Sequence, residues 1–146
     1  MAKWVRFSTN GTTAFGTLDG DHIAEHAGDP FSGATPTGRT VALADVTLES
    51  PCVPSKIIAL WNNFHALAAK LNVAEPAEPL YLLKAPTTAA APGATVRRPP
   101  AYDGKTVYEG ELGIVIGKRA SNISESAAAD HILGYTIVND ITAADI

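Results

Sequence analysis

Much that would assign this chain to a common class is missing from it. It has one cysteine, Cys52, so no internal disulfide forms and stability must come from packing, as expected of a protein in a reducing cytoplasm. Lysine and arginine number 11 against 15 aspartates and glutamates, for a net charge of −4. No basic face is therefore available to track phosphates, which argues against nucleic acid as a partner. No apolar run approaches the roughly 20 residues that cross a bilayer, and the N-terminus lacks a secretory apolar core. The expectation is a cytoplasmic protein without membrane association. What is present is 146 residues with 46% hydrophobic content, enough for one domain or for a small one and part of another.

Residues 1–50 read as a small N-terminal β domain. Short strands are expected at 4–7, 13–18 and 22–25, punctuated by Asn10-Gly11 and Asp19-Gly20, both hairpin signals. Residues 29–39 are rich in Gly, Pro and Ser and read as loop. Residues 41–48 give another alternating piece, with Leu43 and Val46 as its buried positions. His22 and His26 are four apart, which in a strand spans about 13 Å, too far for one ion. They read as surface residues.

Residues 51–54 mark a boundary, and 51–146 form the second unit. A buried strand is expected at 56–60, followed by Asn62 and Asn63, either able to cap a helix. Residues 64–71 have helical spacing, with Phe64, Leu67, Ala68 and Leu71 as the apolar stripe. A strand at 80–83 ends on Lys84, and the Pro- and Ala-rich stretch 85–100 reads as loop. Ser124 caps a short helix over 124–133 that Gly134 stops.

The chemistry concentrates in VYEGELGIVI, residues 107–116, and in GYTIVNDITAADI at the end of the sequence. Both are β-branched and apolar and read as strands. Residues two apart in a strand share a face, so Glu109 and Glu111 stand side by side, with Gly110 opening the other face. Asp140, ending a strand over 135–138, is the natural third oxygen. Three carboxylates without His or Cys suit a hard ion, Mg²⁺ before Mn²⁺ or Ca²⁺. Spacing alone leaves a second reading open: two solvent-facing glutamates on an edge strand.

The segments PSKIIAL, WNNFHALAAKL, PLYLLKAPTT, YEGELGIVIGKRA and GYTIVNDITAAD, in that order from Pro54 to Ile146, resemble the fumarylacetoacetate hydrolase family. The resemblance implies a mixed, β-rich α+β fold: part of that family's β-sandwich roll, preceded by the small β domain. It implies that Glu109, Glu111 and Asp140 ligate a divalent metal. It further implies a small 2-oxo acid or 1,3-dicarbonyl substrate, an acylpyruvate or fumarylpyruvate type, chelating the ion through adjacent carboxylate and keto oxygens. The ion would polarise the carbonyl and hold the enolate as a C–C bond is hydrolysed. Isomerisation of a 2-hydroxy-diene-dioate, or decarboxylation of an oxaloacetate-like acid, is the alternative. Relatives are usually dimers, so a homodimer is expected by analogy.

The chain departs from the family in three places. Where many members carry a histidine and, three residues later, a glutamate on the helix after the first strand, this sequence has Leu67 and Lys70. His65 lies two residues earlier, a rotation of about 200° on a helix, and is either a catalytic or a surface residue. Ala144 stands where relatives often have arginine, so Lys84 becomes the candidate cation for a substrate carboxylate, with Asn63 a further substrate contact. Finally, the resemblance covers only the first part of the catalytic domain. A sheet cut there would expose unpaired edges, so the chain is expected to be a fragment or to need a second polypeptide. The competing readings are a metal enzyme, a catalytically incomplete subunit of one, and a plain β-rich binding module.

Overall fold

The computed structural model describes residues 2–145. Five strands form the first sheet: β1 (Trp4–Thr9), β2 (Thr12–Asp19), β3 (His22–Ala27), β4 (Thr35–Ala42) and β5 (Thr47–Leu48). Their order is β4-β3-β2-β1-β5, with antiparallel neighbours throughout. Asn10 and Gly11 take φ of 49° and 76°, the paired positive values of a tight hairpin turn, and join Thr9 to its partner Thr12. Phe7 pairs with Ala14 and Ile23 with Leu18, so the two side chains point to one face of the sheet. Both are fully buried. Between them on β2, Gly16 leaves the space that the Ile23 side chain fills, since a Cβ there would overlap it. Burying each large side chain contributes roughly 1.5–3 kcal/mol.

The expected loop over 29–39 is shorter in the structure, because β4 begins at Thr35. Asp29 closes the true turn by accepting the Phe31 and Ser32 amides and the Ser32 hydroxyl. Pro36 and Gly38 are tolerated because β4 lies at the sheet edge, beside a register irregularity between Ala24 and His26. The alternating piece 41–48 divides into the end of β4, a 3₁₀ turn (Leu43–Asp45) and β5, with Leu43 and Val46 half-buried.

A two-stranded sheet follows, β6 (Ile57–Trp61) antiparallel to β7 (Leu80–Lys84), with helix α1 (His65–Leu71) between them. Neither asparagine caps α1. Phe64 holds the N-cap position without a side-chain bond. Asn62 instead adopts φ of 53°, and its amide donates to the Ala74 carbonyl at 2.9 Å. The expected apolar stripe is mostly uncovered: Ala68 is buried, whereas Phe64, Leu67 and Leu71 remain exposed.

The third sheet pairs β8 (Thr106–Ile116) with β9 (Ile132–Ala143). The expected helix over 124–133 is a 3₁₀ segment (Glu125–His131), and Ser124 bonds the Ser126 hydroxyl instead of capping it. Seven residues with no buried face are too few to nucleate a stable α-helix. Gly134 is no stop signal either, since it lies inside β9 opposite Val115. One face of this ribbon carries Tyr108, Leu112, Ile114, Tyr135, Ile137 and Ile141, all exposed, with Ile137 at 90%. The other carries Glu109, Glu111, Asp140 and Thr142. The architecture is β-rich with few helices, and its sheets are not closed. Among the described residues no helix is long and apolar enough to cross a membrane.

Candidate metal centre

Strand register decides which carboxylates share a side. Glu109 is the direct cross-strand partner of Asp140, so both side chains leave the same face of the β8–β9 ribbon. Glu111, two residues further and opposite Val138, leaves that face too. On the reverse face, a Cβ at Gly110 would meet nothing within 4 Å. Gly113 is the opposite case: a Cβ there would lie 2.9 Å from the Thr136 and Val138 methyls.

Two of the three carboxylates are already engaged. Asp140 Oδ1 accepts a bond from Lys84 Nζ at 2.9 Å, in a pair whose side chains are 22% and 29% exposed. Glu109 Oε2 accepts from the Thr142 hydroxyl at 3.2 Å. Among the described residues the Glu111 carboxylate has no partner within bonding distance, and no group of three or more His, Cys, Asp or Glu side chains converges on a common point. The register thus aligns three hard oxygen donors without bringing their oxygens together. Donor chemistry and shared face fit Mg²⁺ or Mn²⁺.

The remaining candidates lie elsewhere. His65, first residue of α1, places Nδ1 2.7 Å from Glu75 Oε1, and both side chains are largely exposed. Glu75 is a partner that sequence reasoning missed, because no periodicity links a helix start to a loop ten residues on. Asn63 is exposed, as are Leu67 and Lys70. The amide of Ala144 donates to the Lys105 carbonyl, and the neighbouring Asp145 carboxylate binds the Lys105 amide and the Tyr102 hydroxyl. His26 packs its ring on Trp4 at 4.8 Å and bonds the Ala24 carbonyl, a structural role. A cleft of about 380 Å³ is lined by Arg6, Glu49, Cys52, Pro86 and Thr87. There burial pushes the Cys52 thiol above its ordinary range, the nearby Arg6 guanidinium acting in the other direction.

Comparison with known proteins gives two family matches. Residues 56–146 match the fumarylacetoacetate (FAA) hydrolase C-terminal family, and residues 2–51 match the family described as Rv2993c-like, N-terminal. Protein Rv2993c of Mycobacterium tuberculosis is 37% identical over 150 residues, covering 96% of this chain and 55% of that protein. The oxaloacetate tautomerase YisK of Bacillus subtilis is 40% identical over 109 residues, 72% of this chain and 36% of its own. The solved structure of 2-hydroxyhepta-2,4-diene-1,7-dioate isomerase from Mycobacterium marinum superposes with a TM-score of 0.86 at 33% identity, covering 99% of this chain and 56% of that one. The chain spans about half the length, or less, of these relatives.

Proposed function

We propose that this chain, which belongs to the fumarylacetoacetate hydrolase family, carries the divalent-metal half of an enzyme that isomerises a small 2-oxo acid. Glu109, Glu111 and Asp140 are its ligands, for Mg²⁺ or Mn²⁺. When bound, the ion supplies Lewis-acid polarisation to a substrate carbonyl. The chain's own contribution is to present three anionic side chains from one face of the β8–β9 ribbon. The neighbouring Thr142 hydroxyl holds one Glu109 oxygen in place.

Isomerisation is preferred to hydrolysis on one observation. The α1 positions where relatives carry a histidine and a glutamate to act on water hold Leu67 and Lys70, so that pair is absent. Moving a proton between carbon and oxygen of an oxo acid makes no demand for activated water: solvent water can carry the proton, and Lewis-acid polarisation of the carbonyl would stabilise the enolate. Relatives above 30% identity named as a tautomerase and an isomerase support the same reading. Hydrolysis stands as the second reading because His65 and Glu75 form a histidine–carboxylate pair, the arrangement that makes a general base.

The test offers oxaloacetate and acetylpyruvate to the 146-residue chain with Mg²⁺. Mg²⁺-dependent enol–keto conversion of oxaloacetate that survives His65→Ala supports isomerisation. Cleavage of acetylpyruvate that His65→Ala abolishes supports hydrolysis instead. No Mg²⁺-dependent turnover of either would mean that the chain alone is not the enzyme.

A further inference from the structure

Lys84 ends β7, in a different sheet from the acidic ribbon, yet its ammonium bonds Asp140 Oδ1 at 2.9 Å. Among the described residues this is the one side-chain hydrogen bond that joins the β6–β7 sheet to the β8–β9 sheet. Both side chains are largely shielded, at 29% and 22% exposure, so neither is a freely swinging surface group. The bond fixes one oxygen of Asp140, and among the described residues the other, Oδ2, has no hydrogen-bond partner. The charge count points the same way. Three carboxylates carry −3, and the ammonium reduces the cluster to −2, the charge that a divalent ion neutralises.

We propose that Lys84 is a positioning residue for the metal centre. Resting on the metal reading above, this assigns Lys84 to Asp140 and not to a substrate carboxylate. By holding Oδ1 it orients Oδ2 toward the face shared with Glu109 and Glu111, and it matches the site to a divalent charge. Outer partners of ligating carboxylates typically change metal affinity by about 10–100-fold when removed.

The test measures Mn²⁺ affinity of the 146-residue chain by electron paramagnetic resonance, alongside apo thermal stability. Lys84→Met is expected to weaken Mn²⁺ binding by about 10–100-fold, and Lys84→Arg, which restores a cationic donor, to recover most of the loss. In an Asp140→Asn background, Lys84→Met is expected to cause no further loss. A purely structural tie would lower apo stability in Lys84→Met and leave Mn²⁺ affinity unchanged, which overturns the proposal. Tighter Mn²⁺ binding in Lys84→Met overturns it too, since Lys84 would then be a competitor for Asp140. Should Lys84→Met not fold, Lys84→Gln is read against the same outcomes. Failure of the wild-type chain to bind Mn²⁺ refutes the metal reading itself, a result distinct from equal binding by wild type and variant.

Discussion

Gly110 and Gly113 stand on opposite faces of β8, and replacing each with alanine tests the register that aligns the acidic residues. Neither takes a positive φ, so alanine is conformationally permitted at both. At Gly113 the added methyl would sit 2.9 Å from two methyls on β-branched residues, Thr136 and Val138, and 3.4 Å from the Thr136 carbonyl. Such side chains are stiff at χ1 and cannot swing aside, so the strands must part, at a cost of about 1–3 kcal/mol. At Gly110 nothing lies within 4 Å, and removing glycine's unfolded-state freedom contributes about 0.5–1 kcal/mol of stability. At about 3 °C per kcal/mol for a chain of this size, Gly113→Ala should melt roughly 3–9 °C lower and Gly110→Ala roughly 2–3 °C higher. Differential scanning fluorimetry reads both. Equal shifts, or a reversed order, would refute the register and with it the common face of Glu109, Glu111 and Asp140.

Two further outcomes follow from exposure and burial. Ile137 is 90% exposed on the uncovered apolar face of the ribbon, so Ile137→Lys should change stability by no more than about 0.5 kcal/mol while lowering 8-anilinonaphthalene-1-sulfonate fluorescence; a loss above 2 kcal/mol, by urea melt, would mean that the face is covered. Burial raises the Cys52 pKa, so the folded state holds the thiol proton more tightly than the unfolded state. Its stabilising contribution is complete below the unfolded value and falls as pH rises above about 9. Alkylation of the native chain at neutral pH should therefore be slower than in denaturant, and Cys52→Ala should flatten the alkaline part of the stability curve.

The sequence was most legible where local chemistry and tertiary structure agree. Asn10-Gly11 announced its hairpin because only residues tolerant of positive φ fit that turn. The strand carrying Glu109 and Glu111 was readable because β-branched runs have no competing local structure, and it extends over Thr106–Ile116. Readings failed where a local cue was weak or served another purpose. Asn62 resembles a helix cap, but its amide is spent on the Ala74 carbonyl. Ser124 and Gly134 bracket an alanine run like helix signals, yet that run buries nothing and forms only 3₁₀ turns before β9 begins. The pattern Phe64, Leu67, Ala68 and Leu71 marks a helix face correctly but does not guarantee cover, since Ala68 alone is buried. At the acidic site, two-residue spacing was sufficient for the shared face of the glutamates. The engagement of Asp140 by Lys84, 56 residues away, was beyond any local pattern.

The central claim is that Glu109, Glu111 and Asp140 close on one divalent ion, and a Mn²⁺ titration of the metal-free chain by isothermal calorimetry tests it most directly. Wild type should saturate with a single Mn²⁺, while Glu109→Gln, Glu111→Gln and Asp140→Asn each lose most of the binding heat without unfolding. Undiminished affinity in any of these three variants, or no binding by the wild-type chain, would contradict it.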